Sequence, residues 1–185
     1  MTAQEPARPD RAHVSKVLVS AASKHGATAE IARAIAEALT AQGCDATVIA
    51  PEQVGAVEEY DAVILGSAVY SGHWLDPAKD LVARSRDALA SRPVWLFSSG
   101  PVGDPSKRLV QTMGQDPVDL PAVRAATKAR EHRMFAGKLD PKSLSLPQRA
   151  ALAAFRSLKG DFRNWAEVRT WAEEIARQLA PATSR

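Results

Sequence analysis

At 185 residues and 45% hydrophobic, the chain is long enough for one domain with a sizeable core, while its apolar runs fall far short of the roughly 20 residues a membrane span requires. Its formal charge of +3 is unevenly spread: residues 1–120 hold 11 Lys+Arg against 15 Asp+Glu, and residues 121–185 hold 13 against 6. A lone cysteine, Cys44, excludes an internal disulfide and fits a reducing cytoplasm, where its expected role is that of a small hydrophobe at the mouth of a strand.

Met1 to His13 is polar and rich in Pro and charge, with no apolar stretch of the kind a secretion signal carries. Residues 1–14 are expected to form a disordered tail, 15–181 one domain, and 182–185 a short tail. Nothing in the composition points to nucleic acid. The basic C-terminal third suggests an anionic partner: a membrane surface touched peripherally from its inner face, an acidic protein or an anionic substrate.

The elements follow from apolar runs and from 3.6-residue periodicity. A first strand spans 16–21, and a helix spans 27–42 with Ile31, Ile35 and Leu39 on one face, ended by Gly43. A second strand covers 45–50 and stops at Pro51. The third, 61–67, is apolar at consecutive positions, as a central parallel strand covered on both faces should be. A helix is expected over 77–90, then a fourth strand over 94–99. A long connection runs from Gly100 to about Glu131, followed by a fifth strand over 132–137. The last helix covers 165–180, opened by Asn164 with Glu167 three residues on, the pattern of a capping box. Alternating strands and helices imply an α/β three-layer sandwich around a five-stranded parallel sheet in the order 2-1-3-4-5. Ligands of such sheets sit at the switch point, off the carboxyl ends of the strands.

Three loops lie there. The first is Ser23-Lys24-His25-Gly26-Ala27-Thr28, a tight polar turn opening the first helix. Free amides at a helix start carry about half a positive charge and favour an anion, and the Ser23 and Thr28 hydroxyls are further donors. The second runs from Ser67 through Ala68, Val69, Tyr70, Ser71, Gly72 and His73 to Trp74. It offers two aromatics for stacking, Tyr70 ahead of Trp74, with Gly72 allowing close backbone approach. The third, Ser98-Ser99-Gly100-Pro101-Val102-Gly103-Asp104, is small enough for its main chain to lie against a flat ring. Together they describe a site for a planar ring with a phosphate tail. Trp95, Trp165 and Trp171 read as packing residues. No Ser/His/Asp constellation, catalytic side chain or metal-ligand cluster is evident.

The first turn resembles the phosphate loop of the flavodoxin superfamily, roughly [ST]-x-T-G-x-T, at Ser23, Gly26 and Thr28, and departs from it at His25 and Ala27. A narrower similarity, to the flavodoxin-like protoporphyrinogen dehydrogenases that pass electrons to menaquinone, rests on the first turn, on Gly66 to Trp74, and on Gly160-Asp161-Phe162-Arg163-Asn164-Trp165. The resemblance implies FMN held by Ser23, Lys24, His25, Gly26, Ala27, Thr28, Ala68, Val69, Tyr70, Ser71, Gly72, His73, Ser99 and Gly100. It implies a cytoplasmic FMN-dependent oxidoreductase acting on a quinone, a porphyrinogen or another flat anionic substrate. The alternatives are a one-electron carrier that docks with redox partner proteins, and a flavodoxin-like module that has lost FMN. The acids nearest the ring loops in sequence are Asp76 and Asp104. That scarcity implies a less negative flavin potential than in acidic carriers.

Overall fold

The computed structural model describes residues 14–100, 116–139 and 160–180. The expected N-terminal tail over 1–14, apart from Val14, the tail over 182–185, Pro101 to Asp104, and much of the long connection lie outside them.

β1 (Lys16–Ala22), β2 (Asp45–Val48), β3 (Ala62–Tyr70), β5 (Val94–Ser99) and β6 (Glu131–Phe135) form a parallel sheet in the order β2-β1-β3-β5-β6. This is the expected order. α1 (Ala27–Ala41) and α5 (Trp165–Leu179) cover one face, where Ile31, Ile35 and Leu39 meet Val17, Val19 and Ile64, and Val168, Trp171 and Ile175 complete the layer. α2 (Asp76–Arg84), α3 (Arg86–Ala90) and α4 (Leu120–Thr127) cover the other, over Leu18, Val63, Leu65 and Leu96. Buried on both faces, the central strands have no polar side to show, which is why their sequence reads as unbroken apolar runs.

The helix ends explain themselves locally. Gly43, at φ 88°, follows α1; the Gly43 N–H donates to Thr40 O and the Cys44 N–H to Leu39 O. This paired closure needs a left-handed residue that glycine supplies without steric cost. Asn164 caps α5 by accepting the Glu167 N–H at 3.2 Å. Cys44 packs, partly buried, against the α1–α5 core, and burial pushes its thiol pKa up, away from reactivity.

Three expectations change, and one pairing is added. The helix over 77–90 is two helices, because Ser85 leaves helical geometry at φ −118° and ψ 25°. Arg84, one residue before, is tied to the carbonyls of Pro51 and Val54. The connection after β5 contains α4, whose inward face is only Leu120, Val123 and Thr127. The stretch after the third strand is a hairpin and not a loop. β3 runs on to Tyr70 and pairs antiparallel with β4 (His73–Trp74) through a two-residue turn with Ser71 at φ 51° and Gly72 at φ 80°. Positive φ at both positions matches the right-handed twist of the flanking strands. Finally, β7 (Lys138–Leu139) pairs with β8 (Gly160–Asp161), which brings the start of α5 beside the end of β6.

At the sheet centre Gly66 lies opposite Phe97. A Cβ at Gly66 would stand 2.2 Å from Phe97 Cζ. The ring cannot retreat, because Phe135 and Trp171 hold it with centroids 6.0 and 6.3 Å away. Gly66→Ala is therefore expected to cost about 3 kcal/mol or more, an overpacking penalty. Urea unfolding of the variant, alone and with Phe97→Leu, measures this; the second change should restore part of the loss.

Candidate functional site

The turn from Ser23 to Thr28 stands where the sequence places it, between β1 and α1. Gly26 is left-handed at φ 85°, and no side chain caps the helix that follows. Thr28 is buried in the first turn, 2% exposed. The Ser23 hydroxyl is shielded from solvent and has no hydrogen-bond partner among the described residues. A buried hydroxyl without a partner costs free energy. Beside uncapped helix amides it suits an anion that accepts from both.

Tyr70, at the tip of the β3–β4 hairpin and 39% exposed, reaches back to this turn. The Lys24 ammonium lies 5.2 Å from its ring centroid and the His25 ring 6.2 Å away. Burial of part of the ring pushes its phenol pKa up. On the other side Gly100, at φ 131°, lies where a Cβ would touch Val69 at 3.8 Å, and its N–H donates to Phe135 O at 3.0 Å. Ala68 pairs with Ser99 in the sheet register. The structure thus brings described residues of the three segments, Lys24, His25, Ala68, Val69, Tyr70, Ser99 and Gly100, to one edge, with Tyr70 as the accessible aromatic.

Trp74 is not at that surface. It is 2% exposed, packs in the α2–α4 core, and donates from Nε1 to Ser98 Oγ at 2.8 Å. His73 does face solvent, where its Nδ1 stands 3.2 Å from Asp119. Asp119 also accepts the Trp74 N–H at 2.8 Å. Burial works to raise the Asp119 pKa, but the Trp74 N–H, the His73 ring and the Lys79 charge together hold it below the ordinary carboxylate value. A carboxylate therefore accompanies the hairpin after all, supplied from 45 residues away.

A Ser/His/Asp arrangement, unexpected from sequence, lies beneath the hairpin. Ser98 Oγ is 2.8 Å from His132 Nε2, and His132 Nδ1 is 3.5 Å from Asp116. Trp74 donates to Ser98 Oγ, and in the tautomer that carries the His132 proton on Nδ1, facing Asp116, the Ser98 hydroxyl donates to Nε2. Ser98 is fully buried, so this is an internal polar bridge and not a nucleophile open to substrate.

A second polar anchor joins α1 to the α5 entry. The Arg163 side chain, 3% exposed, forks onto Asp161 at 2.7 and 2.6 Å, reaches Glu30 at 2.6 Å and Ala27 O at 3.3 Å, and lies over the Trp165 ring. Asp161 and Glu30 hold its pKa above the usual arginine value against the opposing effect of burial. Ala27 is in the first turn of α1, so this clamp fixes the phosphate-loop end of the helix. Its neighbours in sequence gave no sign that Glu30 would be its partner. No group of three or more His, Cys, Asp or Glu among the described residues could hold a metal ion. No helix among them is long and apolar enough to cross a membrane.

Two outcomes test these contacts. Arg163→Met leaves two carboxylates that are 43% and 40% exposed, so the loss should be about 2 kcal/mol, below the roughly 3–5 of a fully buried pair. Arg163→Lys should recover only part of it, since an ammonium cannot fork, as urea midpoints will show. Burial, followed by the Arg124 charge, lowers the His132 pKa from 6.5 against the pull of Asp116 and Glu131. The unfolded chain then takes the proton first. Stability present above pH 6.5 is lost as pH falls from there through the folded value. His132→Gln should flatten that loss between about pH 7 and about pH 5, measured by denaturant unfolding at each pH.

Comparison with known proteins accords with this geometry. Among curated proteins no sequence matches. An archaeal flavodoxin is similar at 17% identity and TM-score 0.59, covering 89% of this chain and 98% of that one. Flavodoxin 1 of Bacillus cereus is similar at 18% identity and TM-score 0.55, covering 89% and 99%. A rubredoxin oxygen:oxidoreductase of Desulfovibrio gigas is similar at 16% identity and TM-score 0.59, with 89% of this chain spanning 36% of that one. These likenesses show the shared fold. The flavodoxin domain family matches residues 18–164, so the chain belongs to that family, and FMN is the cofactor that membership implies.

Proposed function

We propose that this chain binds FMN at the edge formed by the first turn, the β3–β4 hairpin and Gly100, and works as a flavin-dependent electron-transfer protein. The observation that carries the reading is the convergence of the unpartnered Ser23 hydroxyl and uncapped α1 start with the accessible Tyr70 ring. Ser23, Gly26, Ala27 and Thr28 would hold the phosphate by hydroxyl and amide donation. Lys24 and His25 add donors at the rim. Tyr70 offers a stacking face, and Ala68, Val69, Ser71, Gly72, His73, Ser99 and Gly100 give the ring a narrow main-chain bed. Bound FMN supplies the redox chemistry itself, accepting and releasing electrons in ones or twos. The protein's part is to orient the ring, shield it and set its potential, in which the Asp119 carboxylate beside His73 takes part.

The substrate we favour is a flat anionic one, a quinone or porphyrinogen, on the resemblance of Gly66 to Trp74 and of Gly160 to Trp165 to the protoporphyrinogen dehydrogenases. The second reading is a carrier that docks with redox proteins. It draws support from the flavodoxin and rubredoxin oxygen:oxidoreductase likenesses. Asp119 at the hairpin also adds acid where sequence suggested little.

The purified protein should be yellow, or take up added FMN with quenching of flavin fluorescence. Tyr70→Ala should weaken that binding by up to about tenfold, the worth of one stacked ring. Protein that stays colourless and leaves FMN fluorescence unchanged removes the proposal. Anaerobic turnover with a menaquinone analogue, with and without protoporphyrinogen, separates the substrates. Reduction through a protein reductase alone favours the carrier.

A further inference from the structure

At the edge of the sheet opposite the phosphate turn, a cleft of about 270 Å³ is lined by Ala90, Ser91, Arg92, Pro93, Lys128 and Arg130. Arg92 and Pro93 lead into β5, and Lys128 to Arg130 lead from α4 into β6. Three cationic side chains thus share one concavity, and no carboxylate among the described residues lines it.

Two of these cations are already placed. Arg92 is half-buried, and its Nη1 atom is shielded from solvent without a hydrogen-bond partner among the described residues. A buried guanidinium nitrogen with no acceptor is costly, and Arg92 is one of the residues that line the cleft. Arg130 is held over the ring of Trp95, its guanidinium carbon 5.1 Å from the centroid, so a core residue orients it at the rim. Lys128 is exposed and closes α4. Two other cations of the last third are engaged elsewhere: Arg133 pairs with Glu131 and Glu174, and Arg163, at the phosphate-turn end of the sheet, with Asp161 and Glu30.

We propose that this cleft is a second anion site, separate from the flavin edge, that takes a phosphate monoester or diphosphate group. A tetrahedral dianion offers several acceptor oxygens to donors converging from two loops, and guanidinium groups match it in fork geometry. A single planar carboxylate would leave part of this donor set without an acceptor. The phosphate comes either from a soluble ester or from a lipid headgroup, and the two sources need separate measurements.

Titration calorimetry of the full chain with pyrophosphate is the first test. Saturable binding that weakens about tenfold or more in Arg92→Gln, Lys128→Gln and Arg130→Gln, and that weakens as salt is raised, is the expected result. Lys128 and Arg130 are exposed, so their variants carry the test if Arg92→Gln unfolds. FMN uptake by all three should equal that of the unaltered chain, which separates this proposal from the flavin reading. Cosedimentation with phosphatidylcholine vesicles, with and without phosphatidic acid, is the second test. Binding only to phosphatidic acid vesicles, lost in the same variants, assigns the lipid source; pyrophosphate binding alone assigns the soluble one. The proposal falls if neither probe binds, if binding is the same in the three variants, or if Ser23→Ala removes it while they retain it.

Discussion

The fold rests on the space left empty at Gly66. Phe97 fills it from the neighbouring strand, and its ring is the base on which Phe135 packs tilted and Trp171 packs edge to face. Trp171 belongs to α5, which packs along α1. The position of α1 is therefore inherited from a glycine in the middle of the sheet, and with it the position of the turn that precedes α1. Arg163 completes the same line of constraint from the other end of α5, through Ala27 and Glu30. A rigid start to α1 matters for anion binding, because amides fixed in place before a ligand arrives lose no freedom when it does.

The parallel sheet, its strand order and the turn that opens α1 were legible because each depends on local pattern: unbroken apolar runs, Gly43, Gly26, and the Asn164 cap. What was not legible depends on distance. Asp119 and Trp74 are 45 residues apart, and Ser98 and His132 are 34 apart, so no spacing rule links them. The hairpin is a different case. Its signal, Ser71-Gly72 between Val69-Tyr70 and His73-Trp74, stands in the sequence, but two-residue strand partners are too short to show alternation. α4 was hidden for a similar reason, since eight residues give only two turns of periodicity. Trp74 shows the cost of treating aromatics in a loop as ligands: one turn of a hairpin carried it into the core.

Charge is distributed by role. The excess of Lys and Arg in the last third looks uniform in sequence, yet among its described residues Arg133 and Arg163 are neutralised within the protein while Lys128 and Arg130 line a shared concavity. The two faces of the sheet also differ. The α1–α5 face is apolar, with Trp95 and Trp171 indole nitrogens left without partners among the described residues, whereas the opposite face holds the Trp74–Ser98–His132 bridge. Polar contacts that close completely favour one arrangement of a core over its neighbours in energy.

The hairpin has one more property. Gly100 packs beside Val69 on its first strand, and the Val118 N–H donates to Gly72 O at its turn. The stretch between Gly100 and Val118 therefore leaves and rejoins the described structure at the same hairpin. Lengthening a segment whose ends are fixed this way costs little, about 0.6 kcal/mol for each doubling. Insertions or deletions there can be accommodated without disturbing the sheet. Relatives of this chain are thus free to alter the length of that segment while Gly66, Phe97 and the α1 start stay as they are.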